Sequence, residues 1–90
     1  MKWFVYIIES QSNGILYKGF TQDIEKRIWE HNNGFSRYTK DKGPWKLVFS
    51  KSFETKKEAL IFERRIKKFN SQSLENLIKR YSLEEGGSVG

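Results

Sequence analysis

The sequence predicts an α+β domain in which a three-stranded, mostly antiparallel sheet is flanked by helices in the order ββαβαα. Three observations carry this. A β-branched and aromatic run, Phe4-Val5-Tyr6-Ile7-Ile8, is followed at hairpin distance by Ile15-Leu16-Tyr17-Lys18, across a turn ending in Asn13-Gly14. Apolar residues recur at helical spacing in later stretches, the first two of them opened by capping residues. Between those two, Trp45-Lys46-Leu47-Val48-Phe49-Ser50 returns to strand composition after Pro44, which suits a strand start or an edge.

Taken in order, Phe4 to Ile8 is expected as a buried central strand. The second strand is expected to stop at Gly19. A roughly symmetric loop would set Tyr6 opposite or diagonal to Tyr17, so that both rings share one face. A helix then opens with Asp23 as N-cap, carries acids in its first turn, and ends before Gly34. Ile24 and Ile28 form its apolar i, i+4 pair. Arg27 and His31 form a second such pair, each within about 60° of that stripe at 100° per residue. The loop from Asn32 to Gly43 is polar and basic, with Phe35 and Tyr38 among Arg37, Lys40 and Lys42.

Thr55-Lys56-Lys57-Glu58 is a capping-box sequence, so a second helix begins there. Ala59, Phe62, Ile66 and Phe69 share one face of it, and Glu63 falls on that same face. Asn70 to Ser73 is expected to end this helix. A short last helix follows over Leu74 to Tyr81, with Leu74, Leu77 and Ile78 inward. Residues 1–81 thus read as one domain and residues 82–90, rich in Gly and Glu, as a disordered tail.

Composition narrows the function. Ninety residues leave no room for a second core, and 16% aromatic residues argue against disorder. Seventeen Lys and Arg against eleven Asp and Glu give +6, which favours a polyanion, nucleic acid before membrane. No cysteine means no disulfide-linked partner and no thiolate metal site. No apolar run reaches the length of a signal peptide or membrane span, so a cytoplasmic protein is expected.

Two sites stand out. Tyr17, Arg27 and His31 could converge at the seam between sheet and helix, where chemistry on a phosphate would want them. The simpler reading is a packed aromatic beside the polar flank of an amphipathic helix. Glu63 on an apolar stripe is costly unless paired or metal-bound. Either it lies at a partly exposed edge or pairs with Arg27, or it is a ligand for a divalent cation. Lys26, Arg37, Tyr38, Lys40, Lys42, Arg64 and Lys67 would supply cations and a ring for phosphates and bases.

These residues, in this order, resemble the GIY-YIG nuclease domain, and most of all its small stand-alone bacterial members. Phe4-Val5-Tyr6 stands for the first tripeptide and Tyr17-Lys18-Gly19 for the second. Arg27-x-x-x-His31-Asn32-x-Gly34 matches the helix motif, and the Thr39, Pro44-Trp45-Lys46-Leu47 and Glu58-Ala59…Glu63 stretches resemble the stand-alone subgroup. The likeness covers roughly Met1 to Tyr81. It implies that Tyr17 helps activate the attacking water, Arg27 clamps the scissile phosphate, and Glu63 holds a single Mg²⁺ or Mn²⁺. Tyr6 would orient water or phosphate, and His31 would accept a proton.

The sequence departs from the pattern in places. Lys18 replaces the middle isoleucine of the second tripeptide. Phe20 stands where excision-repair relatives carry a lysine. Asn70 and Asn76 are the candidates for an asparagine the family often has beyond its metal-binding Glu.

The expected activity is therefore a metal-dependent DNA endonuclease, acting on branched, damaged or single-stranded forms. The alternatives are a non-catalytic nucleic-acid-binding module and a protein-interaction domain with an incidental basic surface. Tyr17, Arg27 and Glu63 are expected to line one shallow concave surface, with a mobile loop from Phe35 to Lys42 beside it.

Overall fold

In the computed structural model, which describes residues 1–81, three strands pair antiparallel in the order β2-β1-β3. They are β1 (Trp3–Ser10), β2 (Leu16–Thr21) and β3 (Trp45–Phe53). The helices are α1 (Ile24–Asn32), α2 (Lys56–Lys67) and α3 (Ser71–Tyr81), giving the expected order ββαβαα. The tail expected at 82–90 lies outside the described residues.

Alternation along β1 sorts its side chains onto two faces. Val5 and Ile7 pack with Phe49, Ala59, Ile66 and Leu74, so α2 and α3 cover that side. Tyr6 and Ile8 point the other way and pack with Trp45, Tyr17, Ile28 and Leu47, where α1 lies. β1 is the central strand, and Val5 to Ile8 are at most 1% exposed. That explains why this run lacks polar alternation.

The hairpin register places Ile8 across from Tyr17 and Tyr6 across from Gly19. Tyr6 and Tyr17 are thus diagonal neighbours on one face. β2 does not stop at Gly19 but runs on to Thr21, pairing Phe20 with Val5 and Thr21 with Phe4. The glycine is there for room. A Cβ at position 19 would lie 2.6 Å from the Tyr6 hydroxyl and 2.8 Å from its Cζ.

The caps follow the sequence closely. Asp23 accepts the Lys26 N–H at 3.1 Å, and Gly34 beyond α1 has φ +78. Thr55 and Glu58 close a full capping box on α2. α3, however, starts at Ser71 rather than Leu74. The Asn70 side chain accepts the Ser73 N–H at 2.8 Å, so the polar run that looked like a helix end contains the next helix's cap. Leu74 is buried, with Leu77 and Ile78 partly so.

Candidate active site

The Tyr6 and Ile8 face carries the polar cluster. Tyr6 projects from β1, Tyr17 from β2, and Arg27 and His31 from the sheetward side of α1. The Tyr6 hydroxyl is 2.8 Å from His31 Nε2. His31 Nδ1 is 2.7 Å from Thr39 Oγ1, in the loop beyond α1. The Tyr17 ring meets the His31 ring edge-on at 5.1 Å, and Tyr38 stacks on the outer side of Tyr17 at 5.3 Å. Tyr6, His31 and Thr39 are no more than 2% exposed. Arg27, half-exposed, donates to Glu30 at 3.0 Å and faces the Tyr6 oxygen.

This packing sets the charges. Burial pushes the Tyr6 phenol up to about 12, against the pull of the Arg27 cation. Burial, helped by Arg27, holds the His31 imidazole down at about 4, with Glu30 opposing. At neutral pH the pair is therefore a neutral phenol beside a neutral imidazole, with a guanidinium at its rim. Such a pair can relay a proton, the phenol giving one to the imidazole as it takes up another, and the guanidinium has donors beyond the one bonded to Glu30 with which to meet an anion.

Glu63 is placed differently. It is 5% exposed and belongs to the α2 stripe whose neighbours Ala59 and Ile66 pack against Val5 and Ile7. Its carboxylate pairs with Lys67, one turn on, at 2.8 Å. No hydrogen bond or ion pair among the described residues joins it to Tyr6, Tyr17, Arg27 or His31. The alternative in which Glu63 pairs with Arg27 gives way to two local pairs, because Glu30 and Lys67 each lie one helical turn away.

Lys26, Arg37, Tyr38, Lys40 and Arg64 are exposed, while Lys42 is partly buried, donating to the Tyr38 carbonyl at 2.8 Å with its ammonium 4.2 Å from that ring. Lys67 is the partner of Glu63. The loop from Phe35 to Lys42 is pinned at its middle, since Thr39 is buried and the Trp45 indole donates to its carbonyl at 3.1 Å. Of the two asparagines considered for the site, Asn70 caps α3 and Asn76 accepts from Gln72 on the surface.

Residues 2–80 match the profile of the GIY-YIG catalytic domain. The chain belongs to the GIY-YIG family. A UPF0213 protein of Staphylococcus saprophyticus is 46% identical over 78 residues, covering 86% of this chain and 94% of that one. A UPF0213 protein of Clostridium perfringens is 42% identical over 83 residues, covering 91% and 88%. Among solved structures, the solution structure of the UPF0213 protein of Bacillus halodurans matches with a TM-score of 0.57 at 35% identity. It covers 88% of this chain and 84% of that one.

The two tripeptides of this GIY-YIG domain sit on paired strands, with the tyrosine of the first filling the space left by the glycine of the second. Three neighbours of the cluster were not picked out as site residues in the sequence. Glu30 carried a signal, its i, i+3 spacing from Arg27. Thr39 carried none beyond the family likeness, because its partner lies eight residues back and only the folded loop joins them. Trp45, which holds Thr39 by its indole N–H, could be read only as a strand aromatic.

Proposed function

We propose that this chain is a metal-dependent endonuclease that hydrolyses phosphodiester bonds in DNA, in the cytoplasm. The observation that carries the reading is the hydrogen-bonded Tyr6 and His31 pair, set beside Tyr17 with the Arg27 guanidinium at its edge. His31 is the proton acceptor. Tyr17 helps activate the attacking water; as Tyr6 takes a proton from that water, its own hydroxyl proton passes to His31 Nε2, so the phenol stays neutral and the positive charge ends on the imidazole. Arg27 clamps the phosphate and offsets the charge that builds on its oxygens. Lys26, Arg37 and Lys40 hold the strand, and Lys42, on leaving the Tyr38 ring it now covers, adds a cation and opens that ring to stack on a base. Arg64 reaches phosphates from the other side of the sheet.

Glu63 would hold the ion, a single Mg²⁺ or Mn²⁺. The donor type fits, because a carboxylate is a hard oxygen ligand and Mg²⁺ takes one or two carboxylates while keeping several waters, although Lys67 would first have to leave one oxygen of Glu63. When bound, the ion polarises the phosphate and stabilises the leaving oxygen.

The test is cleavage of supercoiled, linear, single-stranded and branched DNA with Mg²⁺, Mn²⁺ or EDTA, alongside folded Tyr17→Phe and Glu63→Gln proteins. Metal-dependent cutting that both changes abolish establishes the nuclease and its preferred substrate. No cutting on any form, or cutting that survives both changes, refutes it.

A second reading, a nucleic-acid-binding module without catalysis, is favoured by one observation: Lys67 already neutralises Glu63. It predicts salt-sensitive binding that Glu63→Gln leaves intact or strengthens.

A further inference from the structure

We infer that Thr39 is a positioning residue that fixes which nitrogen of His31 carries the proton, leaving Nε2 free to accept from Tyr6. The inference rests on the catalytic reading for its consequence, but not for its geometry.

The donor and acceptor balance of the buried cluster decides the tautomer. Tyr6 is a neutral phenol with one proton to give. Arg27, which has only donors, faces its oxygen, so the phenol proton needs another acceptor. His31 Nε2, at 2.8 Å, is the partner in place. An imidazole that accepts at Nε2 and is neutral carries its proton on Nδ1, and that proton points at Thr39 Oγ1, 2.7 Å away. The Thr39 hydroxyl then has its own outlet, the Ser36 carbonyl at 3.5 Å. The chain runs in one direction, Tyr6 to His31 to Thr39 to Ser36. Among the described residues, no buried side-chain nitrogen or oxygen is left without a partner. The reverse order would give the Tyr6 oxygen two donors and leave its own proton without an acceptor.

Thr39 can do this because its backbone is held. Its carbonyl takes the Trp45 indole N–H at 3.1 Å, and its residue is 1% exposed. The next residue back, Tyr38, stacks on Tyr17. The loop therefore places an acceptor behind His31 and an aromatic lid over Tyr17 in consecutive positions.

Thr39→Val keeps the shape and removes the acceptor. A buried Nδ1–H would then have no partner, so the imidazole is expected to move its proton to Nε2, donate to Tyr6, and cease to be a base toward it. His31 is the sole histidine of the chain, so its two ring nitrogens can be followed without overlap by ¹⁵N NMR. The expected result at neutral pH is a protonated Nδ1 and bare Nε2 in the wild type, a shift towards the Nε2–H form in Thr39→Val, and return to the wild-type pattern in Thr39→Ser. In the cleavage assay, Thr39→Val should lose about tenfold to a hundredfold in rate at saturating DNA, with DNA affinity unchanged and Thr39→Ser active. A wild-type imidazole protonated on Nε2, or a tautomer that Thr39→Val leaves unchanged, overturns the inference. The NMR result stands apart from catalysis: a chain that cuts no DNA but shows the tautomer switch loses the nuclease reading and keeps this one.

Discussion

The Tyr6 hydroxyl and His31 Nε2 lie 2.8 Å apart, inside the domain, although twenty-five residues separate them in the chain. A phenol on the central strand is thereby joined to an imidazole on the helix that covers it. The contact costs nothing in charge, because both groups are neutral near pH 7.

Removing the hydroxyl breaks the proton route and leaves the shape. Tyr6→Phe should lower single-turnover cleavage by about a hundredfold or more, the range in which positioned proton transfer contributes. Its stability should fall by only about 1 kcal/mol, the net worth of one such hydrogen bond. Urea midpoints alongside the rates separate the two effects.

The depressed His31 pKa makes an acid-side prediction. Unfolded, the ring titrates at its ordinary value of 6.5; folded, it resists protonation down to about 4. The unfolded state therefore binds the proton first, and stability is lost as pH falls from about 6.5 towards 4. The full loss is on the order of 3 kcal/mol at 1.36 kcal/mol per unit. Urea unfolding of wild type and His31→Gln across this window should show a steeper fall for the wild type. Parallel curves would mean that the ring is not shielded.

Gly19 gives a sign-reversal test. Gly to Ala in a strand usually stabilises by about 0.5–1 kcal/mol. Here the new methyl would meet the Tyr6 hydroxyl at 2.6 Å, and Tyr6 is too enclosed to swing away. Gly19→Ala should instead destabilise by about 1–3 kcal/mol, as overpacked cores do. It should also slow cleavage by pushing the phenol off His31. Thermal melts and rates check both.

Thr55 offers a control far from the cluster. Thr55→Ala removes the side-chain half of the capping box on α2 and should cost about 1 kcal/mol of stability. DNA affinity, measured by anisotropy below the melting transition, should not change.

Much of the fold was legible, and the limits have physical causes. The Asp23 cap and the Thr55 and Glu58 box are local signals, and the helices begin where those residues say. Leu74, Leu77 and Ile78 point inward as their spacing requires. Gly19 misled because its absence of a side chain serves a residue on another strand, which no local window contains. Asn70 misled because a cap can end one helix or begin the next. At the site, the i, i+4 relation of Arg27 and His31 and the shared face of Tyr6 and Tyr17 were periodicity arguments, and the structure has both. Thr39 depends on loop closure, and the partner of Glu63 on a rotamer choice between near neighbours. Neither follows from a period.

The Glu63 and Lys67 pair has a consequence for the ion itself. The carboxylate that would receive a metal already sits against an ammonium on its own helix. The buried charge of Glu63 is therefore compensated from within α2. A divalent cation held by Glu63 would have to take the place of the Lys67 ammonium on that carboxylate. The ammonium given up by Glu63 would then be available to a phosphate. Occupancy by the metal and grip on the nucleic acid would rise together.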